Sequence, residues 1–106
     1  MQVSGRDKVI FKNLAALEQA GEKGFSTYHS GDTKAGKVQI RQCFLESTRQ
    51  INDIQDPELR KQAKLLLGAA SKAIQAYLKN PNDVTGSILK IDVDSYKSFL
   101  ENPKGT

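Results

Sequence analysis

An all-α fold is predicted for this chain, a small up-and-down bundle of three long helices plus a short C-terminal fourth within a single helical domain over 1–106. Three observations carry that expectation. Apolar residues recur every three to four positions through the long middle segments, turn signals separate those segments, and no run alternates as a series of strands would. At 106 residues the chain is long enough to close one hydrophobic core.

The first helix is expected over about 5–22. Ser4 stands three residues before Asp7 as in a capping box, and Ile10, Phe11, Leu14 and Leu17 follow at helical spacing. Gly21 or Gly24 reads as its stop, leaving 24–32 as a polar loop that holds Tyr28 and His29. A second helix is expected over about 33–54, with Ile40, Phe44, Ile51 and Ile54 inward, Ser47 filling the gap, and Val38 and Leu45 widening the apolar face.

The next boundary is the sharpest. Asp56 suits a helix cap, Pro57 the first turn, and Glu58 the positive end of the helix dipole. Leu59, Ala63, Leu66, Ala70, Ala73 and Tyr77 then repeat at four-three-four-three-four, flanked by Leu67, Ile74 and Leu78. Leu66, at the middle of that stripe, is expected among the most buried residues. Asn-Pro-Asn-Asp at 80–83 closes the third helix. Residues 84–91 read equally as a short helix or an extended piece, and a last helix capped by Asp92 should turn Tyr96, Phe99 and Leu100 inward.

The nearest approach to a named chemical motif is Gly31, four residues, then Gly36-Lys37, the spacing of a phosphate-binding loop. Val38 stands where a hydroxyl should hold magnesium, and Phe-Ser-Thr-Tyr-His-Ser precedes it where a buried strand should run. Ser30 or Asp32 as a helix N-cap is the reading adopted. His29 lacks the sequence partners of an acid–base or nucleophilic site, and Cys43 reads as a small, partly buried helix residue. Asp92 and Asp94 alternate as in a calcium loop, but Lys97 and Pro103 occupy the positions that need glycine and glutamate. No enzymatic activity, cofactor or metal is expected.

A single cysteine excludes a disulfide within the chain and a multi-cysteine metal site. No apolar run, Leu65-Leu66-Leu67 included, approaches the length needed to span a bilayer. The N-terminus lacks the charged-then-apolar order of a signal peptide, so a cytoplasmic protein is expected, with a mature secreted form left open.

Charge is the remaining clue. Sixteen Lys and Arg against twelve Asp and Glu leave a net +4. Between Leu59 and Asn82 the charged residues are Arg60, Lys61, Lys64, Lys72 and Lys79, with no acidic residue, and Lys34, Lys37 and Arg41 form a second basic cluster. The leading expectation is a non-enzymatic helical module, adaptor or regulatory, that binds another protein through these residues. The alternative is a small basic nucleic-acid-binding protein that tracks phosphates with the one-signed face of the third helix.

Overall fold

The computed structural model describes residues 3–103, and among them every regular element is α-helical: α1 Gly5–His29, α2 Thr33–Asn52, α3 Pro57–Lys79 and α4 Asp83–Glu101. Each helix starts on a short polar side chain that accepts from an otherwise orphaned backbone N–H. Ser4 Oγ accepts from Asp7 N at 3.1 Å, Asp32 Oδ1 from Ala35 N at 3.1 Å, and Asp56 Oδ1 from Glu58 N at 2.9 Å and Leu59 N at 3.2 Å. Asn82 makes a reciprocal capping box with Thr85, at 2.9 and 3.1 Å.

Two of the expected boundaries are overturned. The first helix does not stop at Gly21 or Gly24 but runs to His29, so the expected 24–32 loop shrinks to the turn around Gly31. The physical reason lies in α2. A Cβ on Gly24 would stand 2.9 Å from Ile40 Cγ1, and one on Gly36 would stand 2.6 Å from Tyr28 N and 2.7 Å from Gly24 O. These glycines let two helix backbones approach closely, and that packing offsets the roughly 1 kcal/mol that a mid-helix glycine costs. Ser26 and Thr27 fit a helix because their hydroxyls donate back to the carbonyls of Glu22 and Lys23, at 3.3 and 3.1 Å. The chain reverses at Gly31, whose φ of +118° disfavours any side chain. Gly31 and Gly36 therefore serve a turn and a helix crossing.

The second correction concerns the C-terminus. Residues 84–91 are helical and continuous with 92–101, so Asp92 lies inside α4, and the fourth helix has 19 residues, close to the 20 of α2. The bundle has four comparable helices in place of three long ones and a short one.

The helices form a ring in chain order. α1 packs most tightly on α2 and α3 next most on α4, while the α1–α4 and α2–α3 seams are thinner, and α1 meets α3 across the diagonal through side chains alone. The molecule is thus two helical hairpins laid together. One end is filled by Ile10, Phe11, Leu14, Ile51, Ile54, Leu59, Phe99 and Leu100, with the Phe11 and Phe99 rings edge to face at 5.6 Å. Asp7, 1% exposed, pins this end: its carboxylate accepts from Gln55 N at 2.8 Å and Asp56 N at 3.1 Å, tying the start of α1 to the α2–α3 turn.

Leu66 is half-buried, not central. The innermost line of α3 is Leu59, Ala63, Leu67, Ala70 and Ile74, and Leu66 sits at the edge of the α3–α4 seam beside Phe99. Val38 and Leu45, expected to widen the inner face of α2, are exposed. Tyr96, Phe99 and Leu100 are buried as expected.

Candidate functional site

The thin α2–α3 seam leaves a groove of about 650 Å³. Its floor is apolar, built from Ile40, Phe44 and Leu45 on one wall and Leu67, Ile74 and Leu78 on the other, with Ile51 at one end. Lys37 and Arg41, one turn apart on α2, and Lys64 on α3 stand around it, and no carboxylate lines it. Gly68 lies in the α3 wall, and a Cβ there would meet no atom within 4 Å. Unlike Gly36, this mid-helix glycine answers to no packing inside the chain.

The eight basic residues singled out from the sequence thus part company. Lys37, Arg41 and Lys64 converge on the groove. Lys34 is exposed and lines a shallow depression at the start of α2 with Val38. Arg60 is structural: its Nη1 donates to Ile54 O at 2.9 Å, satisfying a carbonyl just past the end of α2. Lys61, Lys72 and Lys79 are exposed, and at 100° per residue they fall within about 20° of one another, opposite Ala63 and Ala70. They form a solvated stripe on the outer face of α3.

At the far end of the bundle His29 sits in the last turn of α1, not in a loop. Its Nε2 lies 3.3 Å from the Tyr77 hydroxyl, and its ring meets those of Tyr28, Phe25 and Tyr77 at 5.2, 6.4 and 5.9 Å. This is an aromatic cluster that joins α1 to α3. Cys43 is half-buried, and burial pushes its thiol above the ordinary value, which lowers the thiolate fraction a nucleophile needs. Among the described residues no three metal-ligating side chains gather, and no helix is long and apolar enough to cross a membrane.

One constellation escaped the reading of the sequence. Between the hairpins lies a cavity of about 60 Å³, bounded by residues of all four helices and sharing Ile40, Phe44, Leu67 and Ile74 with the groove. Glu18 lines it with its side chain only 7% exposed, and its carboxyl interacts with Glu22 one turn on and with Lys97. Lys97 Nζ lies 3.6 Å from Glu18 Oε1 and 3.5 Å from Glu22 Oε2. Burial, aided by Glu22 and opposed by Lys97, pushes the Glu18 carboxyl up to about 7. Burial holds the Tyr96 hydroxyl well above the ordinary phenol value, opposed by its interaction with Ser47. A signal was present: Glu18 falls on the helical wheel inside the stripe of Phe11, Leu14, Leu17 and Phe25, where a surface glutamate does not belong.

No protein-family model, curated protein or solved structure matches this chain.

Proposed function

We propose that the protein is a non-enzymatic binding module, an adaptor or regulator, that seats an acidic amphipathic helix of a partner protein in the α2–α3 groove. The observation that carries this reading is the meeting of Lys37, Arg41 and Lys64 around an apolar floor that no carboxylate lines. An amphipathic helix lays apolar anchors at i, i+3, i+4 and i+7 into such a groove, and acidic residues on its flanks match a basic rim. Gly68 supports the reading, because a wall without a side chain admits the close approach of another backbone.

The test is capture from the native host with the wild-type chain and with a triple Lys37→Glu, Arg41→Glu, Lys64→Glu variant. A partner lost by the variant should contain an acidic amphipathic segment, and a synthetic peptide of that segment should shift the amide resonances of Ile40, Phe44, Leu67 and Gly68. A peptide that binds while leaving those resonances in place would overturn the reading. The competing function makes a different demand. A nanomolar gel shift at about 0.15 M salt, lost when Lys61, Lys72 and Lys79 are reversed to Glu, would assign the protein to phosphate-backbone binding by the outer stripe.

A further inference from the structure

We infer, on the reading of the α2–α3 groove as a seat for an acidic amphipathic helix, that its occupant is α4 of a second copy of this chain. α4 carries an apolar stripe that nothing in its own chain covers. Val84, Ile88 and Ile91 are 68, 49 and 64% exposed, and at 100° per residue they lie within about 60° of one another, at the i, i+4, i+7 spacing of groove anchors. The other large exposed apolar residues among those described, Val9, Val38, Leu45 and Leu65, fall one or two to a helix and build no such stripe.

Charge decides what the stripe fits. Asp92 lies about 70° from the centre of the stripe on one side and Asp94 about 90° on the other, whereas Lys90, the one cation between Asp83 and Asp94, lies about 130° round. Carboxylates thus flank the stripe, while Lys37, Arg41 and Lys64 flank the apolar floor of the groove. Among the described residues none of these charges is held in an ion pair of its own chain, so docking joins charges left over in each copy. Two α4 stripes laid on each other would instead bring carboxylate toward carboxylate. Dimensions agree as well: the stripe is about 10 Å long, and the floor from Ile40 to Ile51 about 16 Å. Beside its anchors α4 carries the small Ser87 and Ser95, and Gly68 in the α3 wall has no side chain, so the two backbones can come close.

The occupant has to come from another molecule. α4 packs on α3 and α1 and turns its stripe away from the bundle, while the groove opens on the α2–α3 side. Because seat and stripe lie on different sides, each contact leaves one groove and one stripe free, and association runs head to tail without closing into a pair. Three anchors bury far less than a standard interface, so the contact is weak and the chain is a monomer at micromolar concentration.

The experiment is sedimentation equilibrium of the full chain from about 0.01 to about 1 mM, the range of weak contacts, with amide resonances followed alongside. The average mass should rise with concentration past that of a dimer, and rise less at about 0.5 M than at about 0.05 M salt. Resonances of Phe44 and Gly68 should shift together with those of Ile88 and Ile91. Two variants each block one surface: Lys37→Glu with Arg41→Glu and Lys64→Glu keeps the stripe, and Ile88→Gln with Ile91→Gln keeps the groove. Each alone should stay monomeric, and an equimolar mixture should form a 1:1 pair that grows no further, which also shows that both variants are folded. Variants that fail to pair when mixed, or self-association that survives in the groove variant and vanishes in the stripe variant, would overturn the assignment. A wild-type chain that stays monomeric throughout would remove the second copy as occupant and leave the groove to a different partner, whereas association that shifts Ile88 and Ile91 but neither Phe44 nor Gly68 would count against the groove itself.

Discussion

The two ends of the bundle are built differently. At the end that holds the N-terminus of α1, bulky side chains from all four helices meet, Leu14 is fully buried, and the Asp7 carboxylate binds the α2–α3 turn. At the other end the α1–α2 pair is drawn tight by Gly24 and Gly36, while α4 begins with Val84, Ile88 and Ile91 turned to solvent, and the His29–Tyr77 aromatic cluster is partly exposed. Between the ends the hairpins separate enough to leave the cavity and the groove. Bulk at one end holds the hairpins together, so that the middle is free to carry open space.

The largest test of that contrast is a pair of truncations. Leu14→Ala should cost about 2–5 kcal/mol, because it deletes a fully enclosed side chain. Ile88→Ala should change stability by no more than about 0.5 kcal/mol, since the side chain it shortens is exposed. Urea denaturation of the two variants measures both. Comparable losses would mean that the exposed face of α4 is covered in solution, and the contrast between the ends would fail.

A smaller effect comes from the middle of the molecule and has a definite sign. Glu18 in the folded chain keeps its proton to about 7, against 4.5 for an ordinary glutamate. The folded state therefore holds more protons between those values, and stability falls as pH rises through that window and levels off above it. Glu22 acts elsewhere: the hydrogen bond with Glu18, with help from Lys97, holds it below its ordinary value, so its contribution is lost only as pH falls below about 4.5. The Glu18 shift alone corresponds to roughly 3 kcal/mol, and solvent screening beside the partly exposed Glu22 and Lys97 reduces the expected loss to about 1–2 kcal/mol. Thermal unfolding of wild type and Glu18→Gln between pH 4.5 and 7 isolates it, since the other carboxylates are shared. Parallel curves would show that Glu18 is not held neutral by its surroundings.

What the sequence revealed and what it hid divide along locality. Ser4, Asp32 and Asp56 were legible as caps because a cap is a contract between residues two or three apart. The end of α1 was not legible. Gly24 reads as a stop until its partner, Gly36 on another helix, is known. α4 was obscured because Val84, Ile88 and Ile91 keep helical spacing yet face solvent, while its inward side is only partly buried at Leu89 and Val93 and becomes fully buried at Tyr96. Periodicity placed the apolar face of α3 but not its centre, and one residue of error, Leu66 for Leu67, is a rotation of 100°. The basic residues were legible as types, whereas the convergence of Lys37 and Arg41 with Lys64 depends on how far α2 stands from α3. Glu18 was the readable signal that went unread, a carboxylate inside an apolar stripe.

The smallest expected effect bears most directly on the groove. Gly68 and Gly36 are both mid-helix, but Gly36 presses on the backbone of α1 while Gly68 faces space. Glycine in a helix interior costs about 1 kcal/mol relative to alanine, so Gly68→Ala should raise stability by about 0.5–1 kcal/mol, seen as a higher urea midpoint with unchanged slope. If the wall is smooth in order to receive another helix, the same methyl group should weaken the groove peptide severalfold, because it holds the two backbones apart. Stability and binding would then move in opposite directions from one substitution, which a merely structural glycine does not do. A stabilised variant that binds the peptide as well as the wild-type chain would place the contact on the rim formed by Lys37, Arg41 and Lys64, with the partner's helix riding above the α3 wall. A destabilised variant would show that α2 and α3 close on each other in solution and that the groove is narrower than the structure has it.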